Sequence, residues 1–386
     1  MIKNVVVLGS TGSIGRSTLA VLHENKKRFR LLGLAAGANS RLLDQQIADF
    51  DPPLISVKSK KHALEMRGRF PGKKIFFGDE GLLELVSQPR VEIVVAAITG
   101  TTALAATLGS IRLNQRLCLA NKETLVAAGE LINRELGHSR AEIIPIDSEQ
   151  SAIFQCLAAC PLERVRRIIL TASGGPFFKD TQRDFATIRV EEALAHPTWS
   201  MGKKITVDSA TLMNKALEII EAHHLFKIPP RQIDVLVHPQ SVIHSMVEFV
   251  DSAILAQLGI PDMKLPIQYS LTFPERAKNH WPNLDLTQTP PLQFFKVDNR
   301  RFPSIAMAYD VLKQGGNAGA VFNTANEMAV EYFLANKITF KDIFAIVDHM
   351  LSGWNFSPIQ TLADVLETIS LSRTKTVEHI ENEVMK

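Results

Sequence analysis

The chain has 386 residues, of which 46% are hydrophobic and 22% are charged, the usage of an ordinary folded protein rather than a disordered or fibrous one. This length exceeds what one hydrophobic core usually serves, so we expect two or three domains. Lysine plus arginine (43) barely exceed aspartate plus glutamate (40), for a net charge of +3, which argues against nucleic acid or an anionic membrane as a partner.

Cysteine content and the N-terminal segment predict a soluble protein of the cytoplasm. The three cysteines, Cys118, Cys156 and Cys160, lack the paired spacing of a structural zinc site and fit a reducing compartment. Cys156 and Cys160 lie one helical turn apart, so a metal or redox pair is the alternative to two helix-packed thiols, which are commoner. A strand begins almost at the first residue, which leaves no room for an export signal. The long apolar stretch 91–111 is interrupted by polar residues and glycines, so we expect no membrane span.

The first half of the chain alternates short β-branched runs with longer amphipathic stretches. This rhythm predicts a parallel sheet with crossover helices. A glycine-rich turn, Gly9–Gly15, follows the first run and opens a helical stretch, where glycines allow close approach of the backbone to a pyrophosphate. The spacing differs from the commoner G-x-G-x-x-G, and such a turn alone can be purely structural. Its position favours a Rossmann-like dinucleotide-binding domain over residues 1–147.

The residues after the second run indicate which dinucleotide binds. Sites that prefer NAD usually carry an acidic residue about 20 residues after the glycine turn. This chain has Ala36-Gly37-Ala38-Asn39-Ser40-Arg41 there, and the next carboxylate is Asp44. Small polar groups with Arg41 suit a ribose 2′-phosphate, so NADPH is the predicted cofactor. The alternative is that Arg41 is an ordinary surface residue.

Polar residues at two strand ends form the first part of a candidate chemical site. Lys122 follows the strand that ends near Ala120, at the carboxyl edge where open α/β sheets bind ligands. Asp147 and Glu149 end another strand. In an extended chain their carboxylates point the same way and can share one hard cation. Alone, Lys122 fits a surface lysine and Asp147 a helix cap.

A helix predicted from Asp208, as its cap, to Phe226 supplies the second part. Asn214, Lys215 and Glu218 are spaced to share one face of it, although Lys215 and Glu218 alone also fit an exposed ion pair. Together, the two parts supply three carboxylates and two lysines, which suits a phosphorylated sugar held by a metal ion.

The second half of the chain has a different organisation. Residues 179–204 read as a long loop, three strand-like runs after residue 233 predict an antiparallel or mixed sheet, and the proline-rich stretch 274–291 reads as a connection. Helical spacing dominates after residue 305. The fold class is therefore α/β, and the predicted domains are an NADPH-binding domain (1–147), a central α/β catalytic and dimerisation domain (148–273), a linker (274–299) and a C-terminal helical bundle (300–386).

Seven ordered motifs give the chain a resemblance over nearly its whole length. They are GSTGSIG at Gly9, LANKE at Leu119, DSE at Asp147, SGGPF at Ser173, HPTWSMGKKITVDSATLMNKALEIIEA from His196, HPQSVIHSM from His238 and LGIPDMK from Leu258. Through them the chain resembles the 1-deoxy-D-xylulose 5-phosphate reductoisomerase family. It departs from the family at Ala38, where some members have lysine, and at Lys264, where arginine is expected. The first departure bears on the contact with the 2′-phosphate, and the second on any bidentate contact that an arginine would make.

The resemblance implies a role for individual residues. The implied NADPH contacts are Thr11, Gly12, Ser13, Ile14, Gly37, Asn39, Asn121, Glu123 and Gly202. The implied ligands of Mg²⁺ or Mn²⁺ are Asp147, Glu149 and Glu218. The implied substrate contacts are Lys122, Ser148, Glu149, Ser173, His196, Ser209, Asn214, Lys215 and Glu218, and the catalytic residues among these are Lys122, Glu149 and His196.

The resemblance also implies the reaction, in which 1-deoxy-D-xylulose 5-phosphate is rearranged to a branched aldehyde. Hydride transfer from NADPH then gives 2-C-methyl-D-erythritol 4-phosphate, an isoprenoid precursor. The family is homodimeric, so we expect a homodimer.

Two other functions compete with this interpretation. An NADP-dependent semialdehyde dehydrogenase needs a cysteine nucleophile at a strand-to-helix turn, and Cys118 lies inside a strand-like run instead. A nucleotide-sensing module that binds NADPH without chemistry has no need for the three carboxylates together.

The chain has eleven histidines, most of which we expect to be ordinary surface or core residues. His223 and His224 are predicted to be structural, while His244 fits a structural and a functional role equally. His196 lies near Trp199 in the long loop 179–204, which we predict to close over the site as a lid.

Overall fold

The structure of the chain is a computed structural model, which describes residues 2–37, 39–199 and 201–385. Ala38, where the chain departs from the family pattern, lies outside the described residues. Within these ranges, no helix has both the length and the apolar character that crossing a membrane requires.

The described secondary structure comprises twelve strands and fifteen α-helices. The strands are β1 (Lys3–Leu8), β2 (Phe29–Ala36), β3 (Leu54–Val57), β4 (Lys74–Phe77), β5 (Ile93–Ala96), β6 (Arg116–Leu119), β7 (Glu142–Pro145), β8 (Val165–Ala172), β9 (Ile233–Val237), β10 (Ile243–Phe249), β11 (Ile254–Leu258) and β12 (Phe295–Lys296). The α-helices are α1 (Ser13–Glu24), α2 (Ser40–Phe50), α3 (Lys60–Arg69), α4 (Gly78–Val86), α5 (Leu104–Arg112), α6 (Lys122–Gly137), α7 (Ser148–Leu157), α8 (Val190–Ala193), α9 (Lys203–Ala210), α10 (Met213–Phe226), α11 (Lys264–Thr272), α12 (Ser304–Gln314), α13 (Ala318–Leu334), α14 (Phe340–Ser352) and α15 (Leu362–His379).

The chain forms two compact units, each built from several segments. The first unit contains Met1–Thr124, Ile132–Ser151 and Asp262–Trp281, and the second contains Leu125–Leu131, Ala152–Pro261 and Pro282–Lys386. These units do not follow the predicted chain-order division at residues 147, 273 and 299. As a functional division, the three predicted domains and their linker stay a prediction.

The first unit is built on a seven-stranded sheet in the order β4-β3-β2-β1-β5-β6-β7, with every pair parallel. Val5, Val6, Val7 and Leu8 of β1 are completely buried, because helices cover both faces of a parallel sheet and its central strands are continuously apolar. The strand order reverses direction between β1 and β5, which is where such sheets bind ligands. The predicted Rossmann-like domain is confirmed.

The core of the first unit also includes a segment far along the chain. Ile267 and Leu271 of α11, together with Trp281, pack in the same buried cluster as β1 and β2. The indole N–H of Trp281 donates to Glu24 Oε1 at 3.0 Å. The predicted division places Ile267 and Leu271 in the catalytic domain and Trp281 in the linker. Local sequence patterns do not show which core an apolar helix face will join.

The second unit is built on a five-stranded mixed sheet in the order β11-β10-β8-β9-β12. β8 and β9 are parallel, while β10 is antiparallel to both β8 and β11. The predicted antiparallel or mixed sheet is therefore confirmed. The C-terminal helices α12 to α15 are present as predicted, and α12, α13 and α14 share one buried cluster with α10.

The helix predicted from Asp208 to Phe226 is two helices, α9 and α10. Leu212 between them has a left-handed backbone, with φ of 57°. The Ser304 hydroxyl donates to Thr211 O at 2.9 Å, so a side chain of α12 bonds a backbone carbonyl at the break between the two helices. Asp208 lies inside α9 and is not its cap, so this part of the prediction is wrong.

The predicted loop 179–204 contains more structure than its sequence indicates. A short 3₁₀ turn covers Phe185–Thr187, α8 follows, and α9 begins at Lys203. The Phe185 ring packs on Phe302 and Phe340, with ring centroids 5.3 Å apart in each pair. The first part of the segment is thus packed against the buried core of the second unit. A lid movement of the part around Trp199 stays a prediction.

Candidate functional site

The glycine turn Gly9–Gly15 lies between β1 and α1 and requires its glycines. Gly9 has φ of 89°, and a Cβ on it would lie 2.5 Å from Ala97 O. A Cβ on Gly15 would lie 2.2 Å from Gly9 O. The turn leaves Gly12 and Ser13 exposed at the N-terminus of α1, where backbone N–H groups and the helix dipole favour an anion. This cradle fits the pyrophosphate of a dinucleotide.

The residues after β2 fit a ribose 2′-phosphate rather than a diol. Gly37 is exposed, and Asn39 caps α2 by accepting from Leu42 N at 3.1 Å. Arg41 is exposed in the first turn of that helix. Asp44, the nearest carboxylate along the chain, forms an ion pair with Arg69. The structure therefore offers a cation and no acidic group in the segment from Gly37 to Arg41.

Asn121 has a structural role that the sequence does not show. Its side chain caps α6, accepting from Thr124 N at 2.9 Å. Its amide group donates to Gly100 O at 2.6 Å and also to Ile98 O. Asn121 thereby ties the loop after β5 to the start of α6. Its contact with NADPH, and that of Glu123 in the same helical turn, stay predictions.

Lys122, Asp147, Ser148 and Glu149 come together at the ends of β6 and β7. Lys122, only 5% exposed, forms an ion pair with Asp147. Ser148 donates from its hydroxyl to Glu149 Oε2 at 2.5 Å. Carboxylate oxygens of Asp147 and Glu149 lie within 4.8 Å of each other. Two oxygen ligands at this separation fit one hard divalent cation.

The reason for this proximity differs from the predicted one. The sequence reading places Asp147 and Glu149 on an extended strand, but Ser148 begins α7 and Glu149 lies in its first turn. Ser151 N donates to Asp147 O at 2.8 Å as the first bond of the helix. A tight strand-to-helix turn therefore brings the two carboxylates together.

In the second unit, the turn after β8 brings three predicted substrate contacts together. Ser173 Oγ lies 2.9 Å from His196 Nε2 and 3.5 Å from Ser209 Oγ. Gly174 and Gly175 have φ of 84° and 64°, and a Cβ on Gly175 would lie 2.8 Å from Ser209 O. The two glycines therefore let the turn sit directly on the end of α9.

The hydrogen bonds of His196 define its tautomer. Nδ1 accepts from the backbone N–H groups of Thr198 at 3.1 Å and Trp199 at 2.9 Å, so it carries no proton. Nε2 must then carry the proton and donate it to Ser173 Oγ. Burial lowers the pKa of His196 from its usual 6.5, so the ring is neutral at pH 7. Ser173 keeps its own hydroxyl proton available for an anionic ligand.

The face of α10 confirms the predicted grouping of Asn214, Lys215 and Glu218. Asn214 Nδ2 donates to Glu218 Oε1 at 2.6 Å, and Lys215 forms an ion pair with Glu218. Lys215 and Glu218 are 2% and 0% exposed, so the alternative of an exposed ion pair is wrong. Gly202, an implied NADPH contact, is the exposed N-cap of α9, and its contact stays a prediction.

His223 and the cysteines fit structural roles, while the two possible roles of His244 stay predictions. His223 Nδ1 bonds Ile228 O at 2.9 Å. His244 is buried in β10, with its ring 6.4 Å from that of Trp199. Cys118, Cys156 and Cys160, all in described ranges, carry free thiols. Burial raises the pKa of the Cys118 thiol to about 11, which leaves the thiol protonated and unreactive. A dehydrogenase nucleophile has to be reactive, so Cys118 does not fit that role.

Sequence patterns predict Asp208 only as a helix cap and do not single out its buried partner, Asn326. Asp208 in α9 is 1% exposed and accepts a hydrogen bond from Asn326 in α13. The signal that could have found Asn326 is the run Asn323, Thr324 and Asn326 in the otherwise apolar first half of α13, where all three side chains are buried.

These features define the class of protein: a dinucleotide-binding α/β protein that carries carboxylates, lysines and hydroxyls suited to a metal ion and a phosphate. Three domain models of one family match the chain: the 1-deoxy-D-xylulose 5-phosphate reductoisomerase model at residues 5–129, and models of its C-terminal domains at residues 143–226 and 258–375. The chain belongs to the 1-deoxy-D-xylulose 5-phosphate reductoisomerase family.

Relatives with this family name match nearly the whole chain. The reductoisomerase of Chlorobium chlorochromatii (strain CaD3) is 47% identical over 357 residues, 92% of this chain and 94% of that protein. The reductoisomerase of Protochlamydia amoebophila (strain UWE25) is 44% identical over 371 residues, which are 96% of this chain and 97% of that protein.

Solved structures agree with these sequence matches. A crystal structure of DOX-P reductoisomerase with NADPH, fosmidomycin and magnesium has a TM-score of 0.93 and 38% identity, and the match covers 98% of each chain. The enzyme from Zymomonas mobilis in complex with NADPH has a TM-score of 0.92 and 39% identity, covering 99% of this chain and 100% of that one.

Proposed function

We propose that this chain converts 1-deoxy-D-xylulose 5-phosphate to 2-C-methyl-D-erythritol 4-phosphate, using NADPH and a divalent metal ion, in the synthesis of isoprenoid precursors. The observation that carries this proposal is the match, over nearly the whole chain, to reductoisomerases such as the one solved with NADPH and magnesium. The two groups of polar residues described above supply what this reaction needs: carboxylates for a metal ion, and lysine, histidine and serine donors for a phosphorylated sugar.

NADPH binding is assigned to the glycine turn and the segment after β2. The start of α1 faces the pyrophosphate through Thr11, Gly12, Ser13 and Ile14. Gly9 and Gly15 allow this tight turn, because a Cβ at either position would collide with nearby backbone. Gly37 and Asn39 receive the ribose 2′-phosphate. Asn121, Glu123 and Gly202 complete the contacts that the family resemblance implies.

Asp147, Glu149 and Glu218 are the proposed ligands of Mg²⁺ or Mn²⁺. Carboxylate oxygens are the donors that these hard cations prefer, and the proximity of Asp147 and Glu149 supports a shared ion. The cation, when bound, polarises the carbonyl of the ketose and stabilises negative charge on adjacent oxygens. Ser148 bonds Glu149 and thereby orients this ligand.

The chain's own donors bind and orient the substrate. Ser173, His196 and Ser209 form one group of donors, with the His196 proton on Nε2, and we assign it to the phosphate with Asn214 and Lys215. Lys122 is assigned to the sugar hydroxyls. Because Lys122 and Lys215 are both buried beside carboxylates, their ammonium groups are held in fixed positions and need little reordering on binding.

Catalysis also requires that water leave the site while the skeleton rearranges. Trp199 is held by the hydrogen bond from its N–H to His196 Nδ1, so the segment around it is attached to a proposed phosphate donor. We propose that this segment closes when the phosphate binds, with Trp199 as its apolar cover.

A homodimer is the proposed assembly. β11 is an outer strand of the described sheet, and Ile254, Leu255 and Leu258 on it are 51%, 42% and 37% exposed. An apolar outer strand invites pairing with another strand, and a second copy of the chain supplies one. The free thiols support the proposed cytoplasmic location.

The proposed function is tested by mixing the purified chain with 1-deoxy-D-xylulose 5-phosphate, NADPH and Mg²⁺ or Mn²⁺, and following the absorbance of the reduced nicotinamide. NADPH consumption should require both the sugar phosphate and the metal ion. NADPH binding without consumption, under conditions in which the chain is folded and metal is present, would instead identify a nucleotide-sensing protein.

A further inference from the structure

Asp208 is a buried carboxylate outside the groups assigned to substrate and metal. It lies in α9, is 1% exposed, and is the residue before Ser209. Its oxygens are held by Lys204 Nζ at 2.6 Å on the same helix and by Asn326 Nδ2 at 2.8 Å on α13. A buried carboxylate is costly unless it is paired and hydrogen-bonded, so these two contacts fix where this part of α9 lies.

Asn326 is an unusual residue for its position. It is completely buried, on a helix whose neighbouring side chains Phe322, Ala325 and Ala329 are buried and apolar. Its amide oxygen has no hydrogen-bond partner among the described residues. An apolar side chain of similar size would avoid that loss. The contact that the amide provides at this position is the bond to Asp208.

The same helix end also contacts the turn after β8. Gly175 approaches the backbone of Ser209 and Ala210 so closely that a Cβ would lie 2.8 Å and 3.0 Å from them. The Ser209 hydroxyl lies 3.5 Å from that of Ser173. Ser209 is therefore contacted by the glycine turn and directly follows the anchored Asp208.

We propose that Asp208 and Asn326 are a positioning pair, which sets the location of Ser209 within the group of donors that binds the substrate phosphate. This inference rests on the proposed function, because it takes Ser209 as a substrate contact. Neither Asp208 nor Asn326 touches the substrate. Their effect on the reaction passes through the end of α9.

The alternative is that the pair only holds α9 against α13 and contributes to stability. A double-mutant cycle separates the two cases, because residues that act through one another have non-additive effects. We would compare Ser209→Ala, Asn326→Ala and the double variant in steady-state kinetics with saturating NADPH and Mg²⁺. The apparent inhibition constant of inorganic phosphate provides a second measure of the same donors.

Ser209→Ala should raise the KM for the sugar phosphate about tenfold, the effect of one hydrogen bond to a charged group. Asn326→Ala should raise KM about three- to tenfold and weaken phosphate inhibition to match, with NADPH affinity unchanged. The double variant should have the KM of Ser209→Ala alone. Asn323→Ala is the matched control: Asn323 is also buried on α13 and should leave KM near the wild-type value.

If Asn326→Ala does not fold, the exchange Asp208→Asn with Asn326→Asp preserves a hydrogen bond between the helices and should restore KM to within about threefold of wild type. Three results would overturn the positioning role while leaving the proposed function intact. The first is a double variant whose rise in KM is the product of the two single rises. The others are a wild-type KM in Asn326→Ala and a rise in KM of threefold or more in Asn323→Ala. A wild-type KM in Ser209→Ala would remove Ser209 from the substrate contacts, and the positioning pair with it.

Discussion

Replacing Gly175 by alanine tests how tightly the turn after β8 is built against α9. Gly175 has φ of 64°, a conformation that costs an L-residue about 1–2 kcal/mol. A Cβ there would lie 2.8 Å from Ser209 O, whereas ordinary contacts begin at 3.4 Å, so the end of α9 must move by several tenths of an ångström. Overpacking of this kind costs about 1–3 kcal/mol. We therefore expect a total destabilisation of about 2–5 kcal/mol.

The same movement displaces Ser209, so kcat/KM for the sugar phosphate should fall at least about tenfold, since misplacement by 1 Å can cost about a hundredfold. Urea unfolding followed by circular dichroism measures the stability, and steady-state kinetics measures the activity. The control is Gly68→Ala in α3, where a Cβ meets no described atom within 4 Å; there alanine should stabilise by about 0.5–1 kcal/mol. A Gly175→Ala variant with wild-type stability and activity would refute the reasoning.

Three further predictions concern the cofactor and the site, and one concerns pH. Glu218→Gln should lower metal-dependent turnover by at least about 10- to 100-fold and leave NADPH affinity nearly unchanged; near-normal turnover would remove the carboxylate triad. NADPH should exceed NADH in kcat/KM because the segment from Gly37 to Arg41 has no acidic residue, and equal values would contradict that reading. Trp199→Ala should impair turnover more than thermal stability, and a phosphonate inhibitor should protect this segment from proteolysis in the wild type; equal cleavage with and without inhibitor would argue against a lid. Burial and the nearby His223 lower the pKa of His224 from 6.5 to about 3. The unfolded chain then binds the proton more readily, so stability falls as the pH drops from about 6.5 towards 3. His224→Gln should flatten that dependence, and an unchanged pH profile of unfolding would show that another group is responsible.

Local patterns in the sequence were sufficient for much of the first unit and for some of the polar residues that lie close together. The turn Gly9–Gly15 follows a strand and opens a helix, as its glycines predict, and the close backbone contact of Gly15 is with Gly9 O in the same turn. Asn214, Lys215 and Glu218 share a helix face because helical spacing fixes that relation. Asp147 and Glu149 were also paired correctly, although on a helix start rather than on an extended strand.

The remaining features depend on contacts between distant segments. The break at Leu212 is supported by Ser304, which lies in α12 and donates to Thr211 O. Phe185 makes a polar stretch part of a core by packing on Phe302 and Phe340. Neither arrangement has a signature near the residue concerned. The polar run that contains Asn326 could have drawn attention to that residue, but it does not indicate Asp208 as its partner. Tertiary packing, rather than local preference, decided each of them.

The glycines of the nucleotide-binding segment differ in how much change they allow, and this difference shows where cofactor preference can evolve. A Cβ at Gly9 or Gly15 would clash with backbone atoms, whereas a Cβ at Gly37 meets no described atom within 4 Å. Gly37 also lies outside the set of residues with positive φ. The turn is therefore closed to mutation while the neighbouring segment is open to it. Engineers who wish to change the cofactor of this chain should vary the residues beside the adenosine ribose and keep the phosphate cradle intact.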